Sequence, residues 1–201
     1  MALKFNYNKT TIQNFKRQLA IRQKALPILK NKETALRLEV VNLTKHLEKL
    51  NIQQKQLEVE LESYHNFWIE FPDILKMDKI KIHRKKVIGV KVPEIESISF
   101  KIADVSWWNL PAWIPGGIKL LKEGISLKLK ADIVQKQIEI LDLARKKTTQ
   151  KVNLYEKVQI PEFEEAIIKI KRFLEDKENI SKAAQKIVKK RKDKKQHESI
   201  V

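Results

Sequence analysis

Few side chains in this sequence could do covalent or acid–base chemistry. The four histidines are His46, His65, His83 and His197. None has the HExxH or i,i+4 His spacing that puts two imidazoles on one metal. His46 adjoins Leu47 and reads as a surface residue, while His65 adjoins Tyr64 and can pack at a helix end. Glu58, Glu60 and Glu62 fall at every second position, so a helix spreads them around its surface instead of converging them. There is no cysteine, which excludes disulfides, thiolate metal sites and cysteine nucleophiles. Only four glycines are present, and no GxxxxGK cradle for phosphates exists among them. The residues therefore predict no catalytic group, no metal, no cofactor and no nucleotide hydrolysis by this chain alone.

The chemistry that is abundant is positive charge. The 201 residues hold 42 Lys+Arg against 25 Asp+Glu, a formal net charge of +17. Residues 1–32 contain eight basic residues and no acidic one: Lys4, Lys9, Lys16, Arg17, Arg22, Lys24, Lys30 and Lys32. Residues 186–201 contain seven basic residues against Asp193 and Glu198. Basic residues at the start of a helix oppose its dipole, so they point to an outside partner such as nucleic acid, anionic lipid or an acidic protein collar. No zinc spacing, paired RNP-like aromatics or GxxG loop accompanies the charge. A nucleic-acid-associated basic coiled-coil scaffold is the alternative reading of this charge; the leading expectation involves no nucleic acid.

The elements carrying these charges are set by glycine and proline. Gly89, Gly116, Gly117 and Gly124 lie in the middle with Pro72, Pro93, Pro111 and Pro115; only Pro27 and Pro161 lie outside. Both residue types weaken helix interiors. The division is an N-terminal coiled-coil arm at 1–68, a middle lobe at 69–125, a C-terminal arm at 126–190 and a basic, flexible tail at 191–201. In the first arm, Ile12, Phe15, Leu19, Arg22, Leu26, Leu29, Glu33, Leu36, Val40, Leu43, Leu47, Leu50, Gln54, Leu57, Leu61, Tyr64 and Trp68 alternate steps of three and four. Fourteen of these seventeen are apolar or aromatic, the 3.5-residue repeat of a left-handed coiled-coil seam. Thr10 or Thr11 can cap its start. Residues 11–68 would span about 87 Å as one helix, and the exposed stripe needs a partner.

The second arm supplies one. Val134, Ile138, Leu141, Arg145, Thr148, Val152 and Tyr155 form one stretch of seam; Phe163, Ile167, Ile170, Leu174, Ala184 and Val188 form another after a phase shift near Pro161. The expected fold is mainly α, a long antiparallel two-helix coiled coil with a small middle lobe inserted at the turn. A parallel homodimer through the first arm would leave the second arm unexplained. With Ile12 opposite the region of Ala184, Pro27 faces roughly residue 169 and Pro161 roughly residue 35, and each proline should bend its helix. In the lobe, Lys86–Val92 and Ser97–Ile102 alternate like strands, predicting a β-hairpin at about 86–103 with a loop at 93–96. Trp107, Trp108, Leu110, Trp113 and Ile114 follow, as a small aromatic core or as anchors for a partner. No run approaches the ~18 apolar residues of a membrane span, and no apolar stretch follows Lys4 as in a secretory leader.

Three blocks resemble a known family. They are Thr10-Thr11-Ile12 with Lys16-Arg17-Gln18-Leu19 and Leu29-Lys30-Asn31-Lys32-Glu33-Thr34-Ala35-Leu36; Gly89-Val90-Lys91-Val92-Pro93-Glu94-Ile95; and Lys151-Val152-Asn153-Leu154-Tyr155-Glu156-Lys157-Val158-Gln159-Ile160-Pro161-Glu162-Phe163-Glu164. The last is the most specific, because it sets a proline in a long helix after a Val-Asn pair. The chain resembles the central-stalk shaft of the V-type and A-type rotary ATPases, their D subunit. Ala25, Pro27, Glu33 and Lys151 depart from the family's usual residues. The resemblance implies a non-catalytic axle without nucleotide of its own, on the cytoplasmic side of a membrane as a peripheral part of the complex. Its partners would be the catalytic and regulatory A and B subunits of the ring, the small F subunit of the stalk and a connector on the membrane rotor. It implies torque passed between ATP hydrolysis or synthesis and ion transport. The candidate partner-binding residues are Lys16, Arg17, Arg22, Lys30, Lys32, Lys151, Lys186, Lys189, Lys190, Val90, Pro93, Trp107, Trp108 and Trp113. The basic ones are expected to meet acidic loops of the ring.

Overall fold

A computed structural model of the chain describes residues 5–63, 68–105 and 110–198. The chain is mainly α, with long N- and C-terminal helices and one small antiparallel hairpin. Helix α1 is Lys9–Ser63, strand β1 Leu75–Val87, strand β2 Val90–Ile102 and helix α2 Ile114–Asn153; a π-helical turn, Leu154–Gln159, leads into helix α3, Ile160–Glu198. Residues 1–30 with 149–201 form one compact unit, and residues 31–148 form the other.

Helix α1 is 55 residues long without a break, Pro27 included. Its start is capped by Asn8, whose Oδ1 accepts from the Thr11 amide at 2.6 Å. Neither threonine expected at the cap fills it, because the helix already begins at Lys9 and both lie inside its first turn. The seam is present: every described seam position from Ile12 to Leu61 is buried or half-buried, Leu36, Leu50 and Leu57 most deeply. The polar exceptions survive at its margin, as Glu33 does by pairing with Arg37 one turn on, 3.1 Å away.

In the unit of residues 31–148, α1 and α2 run antiparallel. Leu36 meets Leu141, and Leu50 meets Ala131 and Val134. Gly124 lies under Leu57, whose Cδ2 would be 3.0 Å from a Cβ added there. Gly116, Gly117 and Gly124 thus lie inside α2 instead of stopping it, and helix begins well before the lobe boundary expected at 125. At Gly117 the reason is close approach: a Cβ would meet Phe71 at 3.2 Å, Trp68 at 3.4 Å and Trp113 at 3.5 Å.

The hairpin differs from the expected one in its turn. Strands β1 and β2 pair antiparallel from Leu75↔Ile102 to Val87↔Val90, with bulges between Met77 and Lys79 and between Lys81 and Ile82. The turn is Ile88-Gly89, not residues 93–96, and Lys86–Val92 is two strand ends folded on each other. Ile88 has φ 50° and Gly89 φ 78°, positive at both centres as in a type I′ turn. A β-branched residue seldom takes that conformation, which is why the Ile-Gly pair does not read as a turn. Burial compensates it: Ile88 packs with Val87 and Val90 against the Leu36–Val92–Leu141 cluster. At the hairpin's other end, Ile74, Ile114 and Ile118 are buried with Phe71, Leu75 and Trp113 packed on them.

In the other unit, α1 and α3 are antiparallel as well. Tyr7 meets Phe173 with ring centroids 4.7 Å apart, and Phe15 meets Phe163 at 5.3 Å. Ile12 therefore does not face Ala184. Matching the arms end to end misplaces the register, which the aromatic contacts decide. Pro27 lies between Arg22 and Lys30, whose partners Gln159 and Glu156 belong to the π turn. That turn precedes Pro161 and closes with the Ile160 amide donating to the Tyr155 carbonyl. It holds one extra residue, which accounts for the step of eight from Tyr155 to Phe163 where a heptad gives seven. It also widens the backbone where the Pro161 ring would press on the preceding turn. Beyond it Phe163, Ala166, Ile167 and Ile170 are buried. The seam ends at Leu174: residues 175–192 are all exposed, Ala184 and Val188 among them. Helix continues to Glu198, so most of the tail expected to be flexible is helical, as its run of Lys, Arg and Gln without Gly or Pro favours.

Candidate partner-contact surfaces

The sequence points to surfaces more than to a pocket. Arg22 is taken up inside its own unit. Its Nε donates to Gln159 Oε1 at 2.6 Å, its Nη1 to the Gln18 carbonyl at 3.1 Å and to Gln18 Oε1 at 2.6 Å. The guanidinium carbon lies 4.7 Å from the Phe163 ring centroid and 5.8 Å from that of Tyr155. A planar cation stacked on rings and forked between amides is a packing element of the seam. Lys30 is likewise engaged, with Nζ 2.6 Å from Glu156 Oε1, and Lys151 lies 5.9 Å from the Tyr155 ring centroid. Charge density alone cannot separate these residues from free ones.

Lys16 and Arg17 are exposed on α1, and Lys186, Lys189 and Lys190 are exposed on α3 beyond the seam. Glu178 on that stretch pairs with Lys182 at 2.8 Å, and the Lys182 hydrogen bond holds its carboxyl below its ordinary value. In the other unit, Val90 packs against the Leu36–Leu141 cluster. The Pro93 carbonyl accepts from Gln137 Nε2 at 2.5 Å. Pro93, the fourth residue of β2, has no amide to donate, which a two-stranded sheet tolerates because each strand is an edge. Trp113 belongs to an aromatic core, 6.3 Å from Trp68 and 6.0 Å from Phe71 between centroids. Trp107 and Trp108 lie outside the described residues.

Two features escaped the sequence reading. Glu94 accepts from Lys85 at 3.0 Å and lies 3.1 Å from His83 Nε2. The Lys85 hydrogen bond, reinforced by the Lys85 charge and the His83 contact, lowers its pKa. This cross-strand trio exists only in the register with a turn at 88–89. Beside it, a groove of about 730 Å³ runs between β2 and α2, lined by Ile95, Ile98, Phe100, Lys122, Glu123 and Lys130 among others. It mixes apolar walls with both signs of charge. Among the described residues no three His, Asp or Glu side chains converge as a metal site, and no helix is long and apolar enough to cross a membrane.

The class defined so far is a mainly helical protein with long N- and C-terminal helices, an intervening antiparallel hairpin and cations exposed on α1 and α3. The family of the ATP synthase D subunit matches residues 11–190, and the chain belongs to that family. Similar proteins include the D subunit of the V-type ATP synthase of Borreliella burgdorferi, 27% identical over 189 residues and covering 92% of this chain and 94% of that protein. Those of Chlamydia caviae, 27% identical over 87% of this chain and 86% of that protein, and Chlamydia felis, 25% identical over 99% of each, are also similar. As a member of this ATP synthase family, the chain is part of a multi-subunit, membrane-associated complex.

Proposed function

We propose that this chain is the central rotor shaft of a V-type ATPase, a non-catalytic component that passes torque between nucleotide chemistry in a ring of A and B subunits and ion movement in the membrane rotor. The observation that carries the reading is α1 itself: 55 uninterrupted residues whose seam side is covered in both units. A helix packed along a continuous seam resists bending and twisting better than a loop-linked chain, because any deformation must break interdigitated side chains. The family and its V-type relatives support the same reading.

The arms at 1–68 and 126–190 would enter the ring, and the lobe at 69–125 would meet the small F subunit and the connector, with the whole peripheral and on the cytoplasmic side. The exposed cations Lys16, Arg17, Lys186, Lys189 and Lys190 would slide past acidic ring loops through contacts that are individually weak in solvent. The test is reconstitution with the A, B and F subunits and a bead fixed to this chain through the hairpin. ATP-driven rotation of the bead is expected. A chain that assembles while ATP is hydrolysed, yet leaves the bead fixed to the ring, would overturn the reading.

A further inference from the structure

We propose that the outward face of the hairpin's turn end is a docking surface for an acidic segment of a partner polypeptide. In β1 and β2, side chains alternate between faces. Val87, Val90 and Val92 turn inward onto the Leu36–Leu141 cluster, so Lys86 and Lys91 turn outward. The register sets them directly opposite each other. Arg84 lies on the same face, two residues before Lys86. Lys32 of α1 reaches the turn as well, its Nζ 3.7 Å from where a Cβ on Gly89 would be. Among the described residues no ion pair joins any of these four cations to a carboxylate, although neighbouring acids are taken: Glu94 by Lys85 and His83, Asp78 by Lys101.

Like charges directly opposite on paired strands are destabilising, and this pair lies one register step from the turn in which Ile88 has its positive φ. Two unfavourable local choices thus fall at one end of the hairpin. Strain held by surrounding packing marks candidate functional positions, and a carboxylate-bearing partner would reverse the sign of the charge term. The face also carries Ile82, 52% exposed, and Pro93, which suit a polypeptide with some apolar contact. It has no aromatic ring on which a base could stack. It also lacks a bulky apolar ridge to enter a lipid interface. The inference deepens the shaft reading and rests on it only in supposing that other components of the complex meet this face.

The test uses the full chain and labelled poly-L-glutamate at physiological ionic strength. Its variant is Arg84→Glu/Lys86→Glu/Lys91→Glu, compared with Lys45→Glu/Lys49→Glu/Lys55→Glu on α1, which changes the charge equally. The hairpin variant should weaken binding by at least about tenfold and the comparator by less than about threefold, since a docking surface is local whereas net charge acts everywhere. The neutral variant Arg84→Gln/Lys86→Gln/Lys91→Gln, with helical circular dichroism checked in each, should also weaken binding and covers any folding defect of the reversal. Equal losses in hairpin variant and comparator would overturn the proposal. Hairpin-dependent binding of polyuridylate or phosphatidylserine vesicles tighter than that of the peptide would overturn it too. Entry of the unmodified chain into an A–B ring is scored separately, so a chain that fails to enter while the peptide contrast persists sinks the shaft reading alone.

Discussion

Adjacent glycines on α2 should answer the same substitution in opposite ways. Nothing lies within 4 Å of a Cβ added at Gly116, whereas at Gly117 three aromatic rings lie between 3.2 and 3.5 Å. Gly116→Ala should stabilise the fold by up to about 1 kcal/mol, the helix-propensity difference. Gly117→Ala should destabilise it despite the same gain, because close-packed rings resist displacement. Urea midpoints of the two variants check the contrast. Equal shifts would mean that the Trp68–Phe71–Trp113 core is looser than its geometry indicates.

For the elements, the π turn invites a similar question of cause. It answers both the ring of Pro161 and the eight-residue step between Tyr155 and Phe163. Pro161→Ala restores an amide and removes the ring, so stability should rise by about 1–3 kcal/mol. The widened turn should persist, because the burial of Val152 and Phe163 fixes the phase on either side; a crystal structure of the variant would show whether it does. The seam of α1 was legible in sequence because a 3.5-residue repeat survives three polar interruptions. The phase shift was legible too, though not the π turn that makes it. Register was not legible, since two heptad arrays can slide by whole heptads and only particular ring pairs, Tyr7 with Phe173 and Phe15 with Phe163, choose between them. The hairpin turn was missed for a different reason: Ile88 sits in a conformation whose strain is offset by tertiary packing. Of the surfaces, the exposed cations were legible by type. The engagement of Arg22 and Lys30 within the fold was not, because it depends on which turn of α3 lies opposite.

Over the whole molecule, acid should act through a few carboxylates. Glu94, Asp142 and Glu178 all titrate below their ordinary values. Hydrogen bonds from Lys146 and Arg145 are the leading causes at Asp142, and one from Lys85 at Glu94. A folded-state pKa below the unfolded value means that the folded protein binds fewer protons. The resulting stability is full above the unfolded carboxylate range near pH ~4 and is lost as pH falls through the lowered folded values. Asp142→Asn should therefore flatten the acid limb of a stability-versus-pH curve and leave the slope between pH ~6 and ~8 unchanged; an unaltered acid limb would show that the Asp142 cluster carries no linkage.

The stretch of α3 beyond Leu174 has a consequence of its own. Residues 175–192 keep helical form with every side chain open to solvent, and a helix of that length without a packed face is marginal in water. Its backbone protons should trade with deuterium far faster than those around Ile170, and trypsin should clip it before any other part of α3. Whatever grips this stretch must first quiet it, and the entropy lost in doing so is subtracted from the strength of the grip. A stretch of this kind can be held with specificity and still be let go.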